Sequence, residues 1–203
     1  MGRVGMPYNF ARVRALIVDD SVFARRLLRS VLTGFGLRDI RDAEGIRDAM
    51  EAVIHLPPDI IFLDMMLHEG CDGLDMVKQI RNHEEDAVKF VPIVMISAET
   101  KIESIIQARD SGITEFLAKP ISAQAVYSRL QWTIEKPRQF IRASEYFGPD
   151  RRRKIEDMAG DERRRVEPDF IPIVRRKKAK QTQAEDPPPE AQGQSGEAVA
   201  QSA

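Results

Sequence analysis

The chain has 203 residues, 42% apolar and 31% charged, with a formal net charge of −1 and one cysteine. That length allows one good-sized domain with extensions, or two small ones. The near-zero charge excludes a global pull toward nucleic acid or membrane, and a lone Cys71 excludes an intramolecular disulfide, which suits a reducing cytosol.

In chain order, residues 1–12 are read as an N-terminal arm. Arg3, Arg12 and Arg14 have no apolar stretch after them of the kind a secretory signal needs. Met1-Gly2 lacks the Ser or Thr at position 6 that myristoylation favours. The first apolar run covers residues 13–18. Phe23, Leu27, Leu28, Val31 and Leu32 then fall at helical spacing. A weaker run, 39–42, sits where a strand is expected, followed by the stripe Ile46, Ala49, Met50, Val53 and Ile54. Residues 60–63 are the third run, before Leu74, Val77 and Ile80. Residues 93–96 are the fourth, before Ile102, Ile105 and Ile106. Residues 115–117 are the fifth, before Val126, Leu130, Thr133 and Ile134. Five strand–helix units over residues 13–137 predict an α/β domain with a parallel sheet covered on both faces. Ligands of such sheets bind beyond the carboxyl ends of the strands. No run approaches the roughly 18–20 apolar residues of a membrane span.

The pattern stops after Lys136-Pro137. Residues 138–180 hold 14 Lys/Arg and 8 Asp/Glu, with Phe140, Tyr146 and Phe147 and the turn signal Gly148-Pro149-Asp150. Basic runs follow at Arg151–Lys154, Arg163–Arg165 and Arg175–Lys178. Residues 181–203 carry 4 acids, no bases and the Pro187–Pro189 run, and are expected to be disordered. No helix-turn-helix pattern is visible.

The strand ends carry the chemistry. Asp19 and Asp20 close the first run and Asp64 the third, so a parallel sheet brings three carboxylates to one edge. Any one of them could simply face water, and Asp20 or Ser21 could cap the next helix. All three together repel, and need a cation or a raised pKa. Mg²⁺ suits one or two carboxylates completed by water and phosphate oxygens. Ser97 ends the fourth run and Lys119, before Pro120, follows the fifth, adding a hydroxyl and an ammonium to the same edge. A lone lysine buried there is costly without a partner. A carboxylate can accept a phosphoryl group covalently, and an ammonium, a metal and a hydroxyl would stabilise its charge.

These residues resemble the receiver domain of two-component response regulators, of the chemotaxis-regulator type, over roughly residues 13–136. The acidic pair Asp19-Asp20 precedes Asp64 by 45 residues counted from Asp19, and Lys119-Pro120 lies 22 residues beyond Ser97. Ala98 stands as the small residue beside the phosphoryl group, Phe116 at the aromatic switch position, and Gly112 before the fifth strand. The resemblance implies a flavodoxin-like, doubly wound five-stranded sheet of order 2-1-3-4-5. It implies a bacterial, cytoplasmic protein that accepts a phosphoryl group on Asp64 from a histidine kinase or phosphotransfer protein. It implies no enzymatic activity beyond self-phosphorylation and slow self-dephosphorylation, and a protein target, with a phosphorylation-dependent dimer as a further arrangement. Mg²⁺ would be held by Asp20, Asp64 and the carbonyl of Met66, with Asp19 acting through water. Lys119 would pair with Asp64 and then the phosphate, across a cis Lys119-Pro120 bond. Ser97 would move toward the phosphate and Phe116 would rotate into the space; ordinary core packing is the alternative for Phe116.

The family's usual Pro four residues after the acceptor is His68 here, and Asp72-Gly73 arrives one residue late, so the loop is longer by one. His68 is not expected to ligate, because Mg²⁺ prefers oxygen. Met66 and Glu99 stand where related receivers steer the attacking water, and an apolar Met66 predicts slow dephosphorylation. A phosphatase using Asp64 as nucleophile is disfavoured, since such sites usually carry a second Asp where Met66 stands. A phosphate-independent scaffold is disfavoured by the intact acids, Ser97 and Lys119. The stretch Tyr146–Arg153 resembles tails on some stand-alone alphaproteobacterial regulators. It is read first as docking on the receiver's fourth and fifth units or on a partner protein, and then as solvated charge or a low-specificity nucleic-acid contact.

Overall fold

The computed structural model describes residues 8–68, 72–143 and 146–151, and the backbone of 169–171. Cys71, most of the basic runs and residues 181–203 lie outside the described residues, as do the expectations placed on them. Five strands pair in parallel: β1 (Arg14–Val18), β2 (Asp39–Ala43), β3 (Ile60–Asp64), β4 (Ile93–Ser97) and β5 (Glu115–Ala118). Their order is β2-β1-β3-β4-β5, as the resemblance implied. Between them run α1 (Val22–Gly34), α2 (Ile46–His55), α3 (Gly73–Arg81), a short α4 (Asp86–Lys89) and α5 (Ile102–Ser111), with α6 (Ala123–Glu135) after β5. The helix α4 has one buried residue, Val88, too little pattern to announce it in sequence.

Helix starts follow local chemistry. The Ser21 hydroxyl accepts from Ala24 N, Asp72 from Leu74 N and Ser122 from Ala125 N, each satisfying a free N-terminal amide. Alternate strand residues point to opposite faces, and the core divides accordingly. Leu16, Val18, Ile61, Leu63 and Met95 pack with Ala49, Val53, Leu74, Val77, Ile80 and Ala108. On the other face Ile17, Phe62, Val94 and Leu117 pack with Leu28, Leu32, Val126 and Leu130. Every side chain of β3 and β4 is buried, as continuous apolar runs in a two-faced sheet require.

The helical stripes are wider than the sheet can cover. Phe23 is 76% exposed and Ile102 71%, while Arg25 turns inward. Before β1, residues 8–12 of the arm pack down: Phe10 is only 2% exposed, stacks with Tyr8 and meets Tyr127 edge-on. Among the described residues no helix is long and apolar enough to cross a membrane.

Within the tail, expected to be largely irregular, three short strands form: β6 (Phe140–Ala143), β7 (Tyr146–Pro149) and β8 (Asp169–Ile171). They pair antiparallel with β6 in the middle. The β6–β7 hairpin sits on the receiver at the edge where β4 and β5 begin, the end of the sheet opposite the carboxylates. Phe140 and Phe147 pack with Phe90, just before β4, at ring-centroid distances of 5.0 and 5.6 Å.

Phe10→Ala is expected to cost about 3 kcal/mol, the usual range for deleting a buried ring. Urea unfolding of the full chain reads this as a lowered midpoint, and an unchanged midpoint would place the arm outside the folded unit.

Candidate functional site

Asp19, Asp20 and Asp64 gather at the carboxyl edge because β1 and β3 are hydrogen-bonded neighbours in register, Val18 opposite Leu63. Each can offer one oxygen such that the three lie within 4.8 Å of one another. Asp19 and Asp64 are buried and Asp20 is partly so. Lys119, which follows β5, reaches back to both buried acids: Nζ lies 2.8 Å from Asp64 Oδ2 and 3.3 Å from Asp19 Oδ2. The Lys119-Pro120 peptide is cis. Lys119 N donates to Ser97 O at 2.8 Å, so the backbone fixes the lysine beside the end of β4.

The electrostatics follow from this crowding. Burial pushes the Asp64 carboxyl up from its ordinary value, its hydrogen bond and attraction to Lys119 pull it back, and the Asp19 charge raises it again, for a net rise. Burial would lower the Lys119 ammonium, but its hydrogen bond and attraction to Asp64, helped by Asp19, outweigh that and raise it. The lysine is therefore charged at neutral pH. One ammonium against three carboxylates leaves about two negative charges, which a divalent cation with a preference for oxygen ligands would match. By donor chemistry and charge the pocket fits Mg²⁺.

Ser97 is buried, and its Oγ accepts from Glu99 N at 3.0 Å. Ala98 is exposed beside it, leaving open space at the strand end. Phe116 is half-buried and packs against the core on the α2–α3–α5 face. Met66 is 59% exposed and bridges to Asp72 across the loop mouth. Residues 69–71, where the extra loop residue falls, lie outside the described residues. His68 Nδ1 lies 2.9 Å from Asp20 Oδ2, so the imidazole touches one acid of the pocket from outside.

Three positioning features were not read from the sequence. Arg25 Nη1 donates to the carbonyls of Asp19 (2.6 Å) and Asp20 (3.1 Å), and Nη2 pairs with Glu44 Oε1, so α1 grips the backbone that carries the acid pair. Asp19 Oδ1 accepts from Ser21 N at 2.8 Å. Gly73 N donates to Met65 O at 2.7 Å, and a Cβ on Gly73 would stand 2.3 Å from Asp64 O, so only glycine lets α3 start against the backbone of Asp64. The delayed Asp72-Gly73 pair was the available signal for the last; Arg25, one of three arginines in an amphipathic helix beside Arg26 and Arg29, gave none for the first.

The model of the response regulator receiver domain family matches residues 15–131. Chemotaxis protein CheY-3 of Vibrio cholerae is 31% identical over 124 residues, which span 61% of this chain and 93% of that protein. The KDP operon transcriptional regulatory protein KdpE of Escherichia coli is 31% identical over 121 residues, 60% of this chain and 51% of that protein. Among solved structures, the chemotaxis response regulator CheY4 of Vibrio cholerae superposes with a TM-score of 0.54 at 28% identity, covering 59% of this chain and 96% of that one.

The raised Asp64 pKa has a definite sign in stability. Its protonated form is favoured in the fold, so the group's contribution is fully present below the ordinary carboxylate value of 3.8 and lost as pH rises through the raised value. In chelator-treated protein, Asp64→Asn is therefore expected to melt above wild type at pH 7, with the gap closing toward pH 3. A variant less stable than wild type at pH 7 would contradict this electrostatic account.

Proposed function

The chain belongs to the response regulator receiver family, and on that premise we propose that it carries a signal by accepting a phosphoryl group on Asp64. The observation that carries this reading is the convergence of Lys119, Asp19 and Asp64 on one another, with Asp20 alongside. An Asp64 oxygen attacks the phosphorus of a phosphohistidine or a small acyl phosphate. The new P–O bond forms as the bond to the donor nitrogen or oxygen breaks, and the electron pair leaves with the donor. Lys119 neutralises charge on the transferring oxygens, and the Ser97 hydroxyl turns from Glu99 N to donate to one of them. Asp20, Asp64 and the Met66 carbonyl, with Asp19 behind, would hold Mg²⁺, which would supply further neutralisation. Ala98 leaves room for the group, and Phe116 fills the space that Ser97 vacates, changing the surface that a partner reads.

The donor we infer is a histidine kinase or phosphotransfer protein of a bacterial cytoplasm, and the target is a protein. The name of KdpE marks that relative as a transcriptional regulator, but it extends well beyond the matched segment. Nucleic acid is the weaker alternative for the tail. The described Arg138 and Arg151 already pair with Glu115 and Asp110, and Arg142 lies 5.4 Å from the Phe147 ring.

Acetyl phosphate with Mg²⁺ is expected to label wild type and not Asp64→Asn, and Lys119→Ala is expected to slow labelling about 10²-fold. Equal labelling of all three proteins would refute the assignment. Mg²⁺ at a hundredfold excess over its Kd is expected to stabilise wild type by about 2.7 kcal/mol, and Asp64→Asn by clearly less. With an apolar Met66 unable to orient water, the phosphorylated protein is expected to persist for minutes or longer. A half-life of seconds would overturn that role of Met66.

A further inference from the structure

The tail motif Tyr146-Phe147-Gly148-Pro149-Asp150-Arg151 lies beyond the residues that the family model matches. In the structure each of its residues touches the hairpin or the receiver. The Tyr146 hydroxyl donates to Pro149 O at 2.7 Å, and Asp150 N donates to Gln139 O at 2.7 Å, closing the hairpin on itself. Phe147 packs on Phe90 and Phe140. Arg151 lies 3.8 Å from the centroid of the Tyr146 ring and pairs with Asp110 of α5 at 3.4 Å. Gly148 is pressed against the cap of α5: a Cβ there would stand 2.6 Å from Tyr146 Oη and 3.0 Å from Gly112 Cα.

Beneath the hairpin sits a buried arginine. Arg81 donates from Nε to Gly112 O at 2.8 Å and from Nη1 to Lys89 O and Val91 O at 2.6 and 2.9 Å. Its guanidinium lies 5.1 Å from the Phe140 ring centroid. It ties the start of β4 to the cap of α5, and the hairpin covers it. Arg138 adds a second tie, to Glu115 of β5 at 3.1 Å.

What the hairpin holds is the long helix with the fewest buried residues. α5 has a single buried residue, Ala108, and its N-cap Lys101 makes no side-chain cap. Its other end is wired to the carboxylate site. Ser97 Oγ accepts from Glu99 N, Glu99 Oε1 accepts from Lys101 N at 3.1 Å, and Lys101 O accepts from Ile105 N in the first turn. A Ser97 hydroxyl drawn toward a phosphoryl group gives up the first of these bonds.

We propose that the surface formed by Arg81, residues 89–91 and Asp110–Gly112 is a docking site for the chain's own hairpin strands, residues 138–143 and 146–151, and that docking holds α5 in the arrangement of the unphosphorylated site. Docking and phosphorylation are then linked through one helix gripped at both ends. The coupling, though not the docking, rests on the reading of Asp64 above. Linkage makes the effect reciprocal: whatever loosens the hairpin favours the phosphorylated arrangement, and phosphorylation loosens the hairpin by the same factor.

Amide hydrogen exchange of the full chain, with and without Mg²⁺ and beryllofluoride as the phosphoryl mimic, tests both parts. In wild type without the mimic, the amides of Asp150, Gly148 and Tyr146, which face β6, are expected to be protected; unprotected amides there overturn the docking. Gly148→Ala is expected to remove that protection, speed exchange along α5, and tighten beryllofluoride binding roughly fivefold or more. In wild type, beryllofluoride is expected to speed hairpin exchange by the same factor. Should Gly148→Ala not fold, Asp110→Ala with Arg151→Ala removes the surface ion pair and the guanidinium stacked on the Tyr146 ring, and serves in its place. A hairpin released with no change in beryllofluoride affinity overturns the coupling and leaves a passive cap. A wild type that shows no beryllofluoride response, and no labelling by acetyl phosphate, overturns the Asp64 reading and the coupling together, while the exchange data still decide the docking.

Discussion

The pairing of Lys119 with Asp64 and Asp19 is the constraint on which the site depends. Two buried carboxylates at neighbouring strand ends repel each other, and a third stands beside them. One ammonium, delivered from two strands away, makes this crowding tolerable without neutralising it. The remainder is an unbalanced negative pocket whose oxygen donors and charge match a divalent cation. A fully neutralised pocket would be more stable and would have less reason to bind anything.

Backbone, more than side chain, holds that crowding in place. Arg25 reaches the two carbonyls of the acid pair from α1, and α3 begins so close to Asp64 that residue 73 must lack a Cβ. The Lys119 amide is bonded to the end of β4. These contacts fix main-chain positions, so the charged side chains stay adjustable while their attachment points do not move. The phosphoryl transfer proposed for Asp64 would benefit from that division, because geometry set in advance costs nothing at the moment of reaction.

At the other end of the sheet the logic is reversed. Arg81 is buried with its charge met by backbone carbonyls and an aromatic face. Burial pushes its pKa down to about 9, still above neutral pH, so the guanidinium stays charged there. It braces the segment before β4 against the cap of α5, and the hairpin closes over it. The two charged centres of the domain thus lie at opposite sheet edges, with the least buried long helix running between them.

The hydrophobic pattern by itself determined five strand–helix units and put Asp19, Asp20, Asp64, Ser97 and Lys119 at the ends of apolar runs. Both follow from local periodicity, because strand and helix repeats are written in neighbouring residues. The pattern could say which residues share a helix face but not how much of that face is covered, and so it placed Phe23 and Ile102 with residues that the sheet does bury. Only the tertiary structure decided that Arg25 turns inward, that Phe10 belongs to the core, and that Arg81 and Gly148 seat the hairpin on the receiver. Each of those outcomes depends on groups far apart in the chain meeting in one place. Their free energy comes from burial and hydrogen bonds that no local window contains.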